Sequence, residues 1–169
     1  MRQVAPGRVA RVIMCAALIG AGVTSVAIAD GDPVGDARED NNGGGVNRDL
    51  KGATHGHQGK LLKHGVSTFG KQISGEGLNL YVNVNKSVAP EYVIGDNGSG
   101  PAVRSTSSGA TTGTLTVVQV TETKLRFLFK RAAIGKPKAY GWFVQFESNK
   151  DEVYDRAPNA GYNKHRLVD

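Results

Sequence analysis

The sequence is poor in several features that would point to familiar fold classes. Its 169 residues include one cysteine, Cys15, and only 7% aromatic residues. A single thiol cannot form an internal disulfide, so a small disulfide-stapled scaffold is excluded. After residue 30 no window approaches the ~18 apolar residues of a membrane span, and none shows apolar residues at helical spacing. These absences favour a fold built from strands.

The first thirty residues have the pattern of an export signal. Arg2, Arg8 and Arg11 precede an uncharged run over 12–29, which ends in the small-residue sequence Ala27-Ile28-Ala29. A basic start, an apolar middle and a small-x-small end are typical of a secretory signal peptide. We therefore predict a signal peptide over 1–29 and an extracellular protein. An uncleaved membrane anchor is the alternative.

The next segment, 30–49, is acidic and almost free of apolar residues. It holds six Asp and Glu against two Arg, and it contains the sequence Asn41-Asn42-Gly43-Gly44-Gly45. Such a composition buries too little surface to offset its ordering entropy. We predict a flexible acidic leader over 30–49 and one folded domain over 50–169.

From Leu50 onward, short alternating runs lie between clusters of Gly, Pro, Asn and Ser. Leu78, Leu80, Val82 and Val84 alternate with polar residues, and so do Leu125, Phe127 and Phe129. This period of two predicts strands with one buried face. The other predicted strands are 50–57, 60–70, 91–96, 101–107, 114–121 and 139–148. Together they predict an all-β fold: a single antiparallel β-sandwich, jelly-roll or immunoglobulin-like, of about seven to nine strands.

Several short motifs, in this order, resemble a group of secreted actinobacterial β-sandwich domains. They are Thr54-His55-Gly56-His57, Ser67-Thr68-Phe69, Ile134-Gly135, Tyr140-Gly141-Trp142 and the segment from Asp155 to Gly161. The chain over roughly 49–161 is similar to DOMON-like and carbohydrate-binding-module-like domains. This resemblance implies a β-sandwich and a non-catalytic, ligand-binding role.

Three histidines form a candidate metal site. His55 and His57 are two residues apart on a predicted strand, so they share a face. If the hairpin turns at Gly59-Lys60, His55 lies opposite His64. Three imidazoles held together could bind Zn²⁺ or Cu²⁺ and support a metal-dependent enzyme. The alternative is that they are surface residues beside a tight turn.

Basic residues are concentrated in one stretch. Residues 50–169 contain sixteen Lys and Arg against nine Asp and Glu. Six of the cations fall within fifteen residues that hold no acid: Lys124, Arg126, Lys130, Arg131, Lys136 and Lys138. Lys124, Arg126 and Lys130 share a strand face that would attract an anionic polysaccharide, a cell-wall polymer or a lipid surface. The alternative is an ordinary solvated face. Nucleic acid is not expected, because no nucleic-acid-binding motif is present.

Aromatic side chains offer a second candidate ligand site. Tyr81 lies in the polar phase of its strand, and Tyr92 follows in the next strand. Both are candidates for stacking on sugar rings. Trp142 shares a phase with Val144 and Phe146, so we predict it in the core.

The sequence carries no arrangement that identifies a catalytic nucleophile. We therefore predict a non-catalytic extracellular module that binds a polysaccharide, wall polymer or other surface ligand, with no cofactor beyond a divalent metal at the histidines. A purely structural or protein-interaction domain is the alternative.

Overall fold

The computed structural model describes residues 34–36, 45, 48–71, 77–96, 98–147, 153–158 and 160–167. Eleven strands and a short 3-10 helix, Arg131–Ile134, make up this part of the chain. The strands are β1 (Val34–Gly35), β2 (Leu50–Gln58), β3 (Leu61–Thr68), β4 (Leu78–Asn83), β5 (Tyr92–Asp96), β6 (Pro101–Ser105), β7 (Thr111–Thr121), β8 (Lys124–Lys130), β9 (Ala139–Glu147), β10 (Val153–Ala157) and β11 (Asn163–Arg166). No helix of the described residues is long and apolar enough to cross a membrane.

All strands pair antiparallel in one sheet, in the order β1-β2-β3-β8-β7-β6-β5-β4-β9-β10, and β11 also pairs with β9. The all-β, antiparallel prediction is confirmed. The two-layer sandwich is not confirmed, because the long β7 pairs with β6 at one end and with β8 at the other. A strand that bonds to both halves joins them into one curved sheet, nearly closed into a barrel.

The closing seam lies between β2 and β10. The buried carboxylate of Asp155 accepts a hydrogen bond from the Leu50 backbone N–H at 2.5 Å. This bond links β2 to β10, between which the described residues form no strand ladder. The inward faces of the strands form a single apolar core whose largest fully buried side chains include Trp142, Phe127, Phe129 and Phe146.

Two parts of the chain differ from the predicted organisation. Within the predicted flexible leader, Val34–Gly35 forms β1 against Gly52 and Ala53, and Asp49 is fully buried. Near the other end, β10 and β11 were not predicted, because their short sequences lack an apolar alternation. The predicted signal peptide, 1–29, lies outside the described residues.

Candidate functional site

The outer surface of β3 and β8 is basic. Leu62, Val66, Leu125, Phe127 and Phe129 point inward and are nearly fully buried. Because side chains alternate along a strand, the residues between them point outward. The outward positions include four cations, which we call the basic face: Lys63 on β3, and Lys124, Arg126 and Lys130 on β8. The three cations predicted to share a strand face therefore do so, and Lys63 joins them.

One end of the basic face is concave. A groove of about 290 Å³ is lined by Lys63, Gly65, Ser67, Lys124 and Arg126, among others. Gly65 lies opposite Arg126 in the strand register and contributes no side chain to the floor. A methyl group added at Gly65 would come within 2.7 Å of the Thr54 hydroxyl. None of the described residues that line this first groove is acidic, so its charge is positive.

A second basic groove lies at the other end of β8. Its volume is about 520 Å³, and it is lined by Lys60, Leu61, Lys130, Arg131, Ala132 and Lys136. Lys136 has the left-handed backbone conformation, with φ of 54°, which is uncommon for a residue other than glycine. Two interactions shape this loop: the Lys136 N–H donates to the Arg131 carbonyl at 3.1 Å, and Arg131 Nε donates to the Pro137 carbonyl at 2.8 Å.

The aromatic candidates do not form one platform. Tyr81 pairs with Val93, whereas Tyr92 pairs with the fully buried Val82, so the two tyrosines face opposite sides of the sheet. Tyr92 is half-buried and packs against the core. Trp142 is fully buried, as predicted.

Tyr81 instead belongs to a packed aromatic group on the outside of β4 and β9. Its ring stacks on Phe143 with centroids 4.8 Å apart and a 15° interplanar angle. The Arg156 guanidinium lies 3.8 Å from the centroid of the same Phe143 ring. The Tyr81 hydroxyl donates a short hydrogen bond to Glu147. These side chains therefore pack against one another. The sugar-stacking role of Tyr81 and Tyr92 stays a prediction.

All four histidines of the sequence meet inside the sheet. The hairpin turns at Gly59-Lys60, and His55 pairs with His64 in register, as predicted. His165 on β11 completes the group, with its ring centroid 4.1 Å from His55 and 5.2 Å from His57. His55, His64 and His165 are buried, and His57 is half-buried. We call these four residues the histidine cluster.

Tyr140 links two members of the cluster. Its hydroxyl lies 2.8 Å from His64 Nε2 and 2.7 Å from His165 Nδ1. The other ring nitrogen of His64, Nδ1, is buried without a hydrogen-bond partner among the described residues. A buried bare acceptor is tolerated better than a buried bare N–H. This favours an arrangement in which His64 Nε2–H donates to Tyr140, whose own O–H donates to His165.

Two groups at the centre of the cluster, the His64 ring and the Tyr140 hydroxyl, have shifted pKa values. Burial, with smaller contributions from His165, His55 and His57, holds the pKa of His64 well below its usual value of 6.5. Burial also raises the pKa of the Tyr140 hydroxyl well above 10.0. Both groups therefore stay uncharged, as the apolar surroundings of Trp142 and Phe129 require.

The predicted metal site at His55, His57 and His64 has no matching geometry in the described part of the chain. There, no group of three or more His, Cys, Asp and Glu side chains is arranged so that it could hold a metal ion. The Tyr140 hydroxyl occupies one nitrogen each of His64 and His165. The geometry describes a hydrogen-bonded core cluster, and metal binding stays a prediction.

Two residues of these sites were missed from the sequence. His165 lies in a four-residue strand with no apolar alternation, so nothing local placed it beside His55. Lys63 could have been found, because it alternates with the inward-pointing Leu62 and His64 on a predicted strand.

Comparison with known proteins finds no family model that matches the chain and no curated protein that resembles it. The resemblance to DOMON-like and carbohydrate-binding-module-like domains stays a prediction. The function has to be proposed from the site itself.

Proposed function

We propose that the protein is an exported, non-catalytic module that binds an anionic extracellular polymer on its basic face. The observation that carries the proposal is the first groove, where Lys63, Lys124 and Arg126 surround a floor left open by Gly65. Polyuronates and phosphate-containing wall polymers have the complementary charge. The export signal predicted over 1–29 supports a partner outside the cell.

The electrostatics of this face favour an anion. Glu122, in the turn before β8, pairs with Lys71 at 2.8 Å, so its charge is already countered. Arg126 donates a hydrogen bond to the neutral Gln58 at 3.1 Å, which holds its guanidinium on the face without cancelling its charge. A groove lined by cations raises the local concentration of a polyanion and speeds its association.

The experiment measures retention of the purified protein on insoluble polygalacturonate and on bacterial cell walls, with cellulose as a neutral reference. We expect retention on the anionic materials at low salt. Retention should fall steeply toward 1 M salt, where the Debye length shrinks to about 3 Å. No retention on any anionic material at low salt would overturn the proposal in favour of a structural or protein-interaction domain.

A matched pair of variants locates the binding surface. Lys124→Gln/Arg126→Gln removes two charges from the first groove. Lys164→Gln/Arg166→Gln removes two charges from the outward positions of β11. Only the first should abolish retention. Equal losses in both variants would show attraction to the net charge of the protein rather than to the groove.

A further inference from the structure

The cations of the basic face follow the rows of the β3–β8 ladder. Lys124 pairs with Ser67, Arg126 with Gly65, Leu128 with Lys63, and Lys130 with Leu61. Each of these four outward rows therefore carries one cation and one residue without charge. Successive rows are two residues apart, which is about 7 Å along a strand.

The series of four rows, with one cation in each, continues into the second groove. Lys130 and Leu61, the last row, also line that groove, where Lys60, Arg131 and Lys136 add further positive charge. The distance from Lys124 to Lys130 is six residues of strand, or about 20 Å. The two grooves are thus the ends of one basic track along β8.

The length of the track favours long anions over small ones. A single phosphate or carboxylate can reach the cations of at most two neighbouring rows, and each exposed ion pair contributes little in water. A linear chain with a negative charge on each repeat can contact every row at once, so the weak contacts add within one molecule.

We infer that the ligand is an extended linear polyanion, with one charge per repeat, that lies along β8 and occupies both grooves. This inference rests on the proposed function. It adds the direction in which the polymer lies, a minimum polymer length of about 20 Å and a binding role for Lys130 and Lys136. Polyuronates and phosphodiester polymers share this chemistry.

The test uses oligogalacturonates and glycerol-phosphate oligomers in two size classes, shorter than about 10 Å and longer than about 25 Å, set by the length of the track. Titration calorimetry at low salt measures the affinity of each. We expect the long oligomers to bind at least about tenfold more tightly than the short ones, because they engage all four rows, whereas the short ones engage at most two. The series that binds more tightly identifies the chemical source of the charge.

Variants at each end separate the inference from the proposal on which it rests. Lys124→Gln/Arg126→Gln and Lys130→Gln/Lys136→Gln should each weaken the long oligomers about tenfold, whereas Lys164→Gln/Arg166→Gln should not. Two results would overturn the extended track: long oligomers that bind no tighter than short ones, or a Lys130/Lys136 variant that binds long oligomers normally. Either result would leave the proposed binding at the first groove unchanged. If no oligomer of either length binds, the proposed function fails as well.

Discussion

Strands β3 and β8 present two surfaces of opposite character. Their inner side carries His64, Phe127 and Phe129, which are almost completely buried and held by ring contacts and by the Tyr140 hydroxyl. Their outer side carries Lys63, Lys124 and Arg126 around an open groove. Neighbouring residues of one strand thus meet different surroundings: the inner set is packed into the core, and the outer set borders the groove to which the proposed function assigns binding. Variants of the two sets should therefore change different observables.

The largest expected effect is on the inner side. Trp142→Ala should lower the free energy of unfolding by about 3–5 kcal/mol, because it leaves a cavity beside His55 and His64. Urea unfolding measures this at pH 7.5. A loss below about 1 kcal/mol would show that the ring is not part of a close-packed core.

Removing the central hydroxyl should have the next largest effect. Tyr140→Phe deprives the buried His64 Nε2 of its hydrogen-bond partner, and the unfolding free energy should fall by about 1–3 kcal/mol. Tyr162→Phe is a matched control, because its hydroxyl makes an exposed 3.2 Å hydrogen bond to the Val88 carbonyl. Equal losses in the two variants would contradict a special role for the buried link.

The inner side also predicts a pH dependence of stability. The pKa of His64 is held well below 6.5 by burial and by His165, His55 and His57; the Tyr140 hydroxyl also faces it. As the pH falls below about 6.5, the unfolded chain therefore takes up a proton at this position before the folded protein does. The free energy of unfolding should therefore be highest above that pH and fall below it. The slope contributed by this group should approach about 1.4 kcal/mol per pH unit.

Unfolding measured between pH 7.5 and 5 tests this dependence. His64→Leu should be less stable at pH 7.5 but should show a shallower decline on acidification, because the titrating group is gone. An unchanged decline in this variant would assign the pH dependence to other groups.

The smallest effect on stability is expected on the outer side. Lys124→Gln/Arg126→Gln should change the unfolding free energy by less than about 0.5 kcal/mol, because exposed charges contribute little to folding. The same variant should lose retention on anionic polymers. Thermal and urea unfolding, measured together with the retention assay, would show whether this variant changes retention without changing stability. A large loss of stability would show that these outer residues also stabilise the fold.

Local alternation determined much of this protein. The period of two in 78–84 and 124–130 predicted strands and the burial of their apolar phase, and it placed Lys124, Arg126 and Lys130 together on the other phase. The two-residue turn at Gly59-Lys60 set His55 opposite His64, because a hairpin register follows from its turn. These features depend only on residues close together in the chain.

Only the tertiary structure decided the rest. The pairing of β7 with both β6 and β8 turned an expected sandwich into one curved sheet, and the Asp155–Leu50 bond nearly closed it. The return of β11 along β9 brought His165 to the histidine cluster. Pairing between strands far apart in sequence leaves no periodic signal in either strand, because the packing of the whole sheet selects the partner.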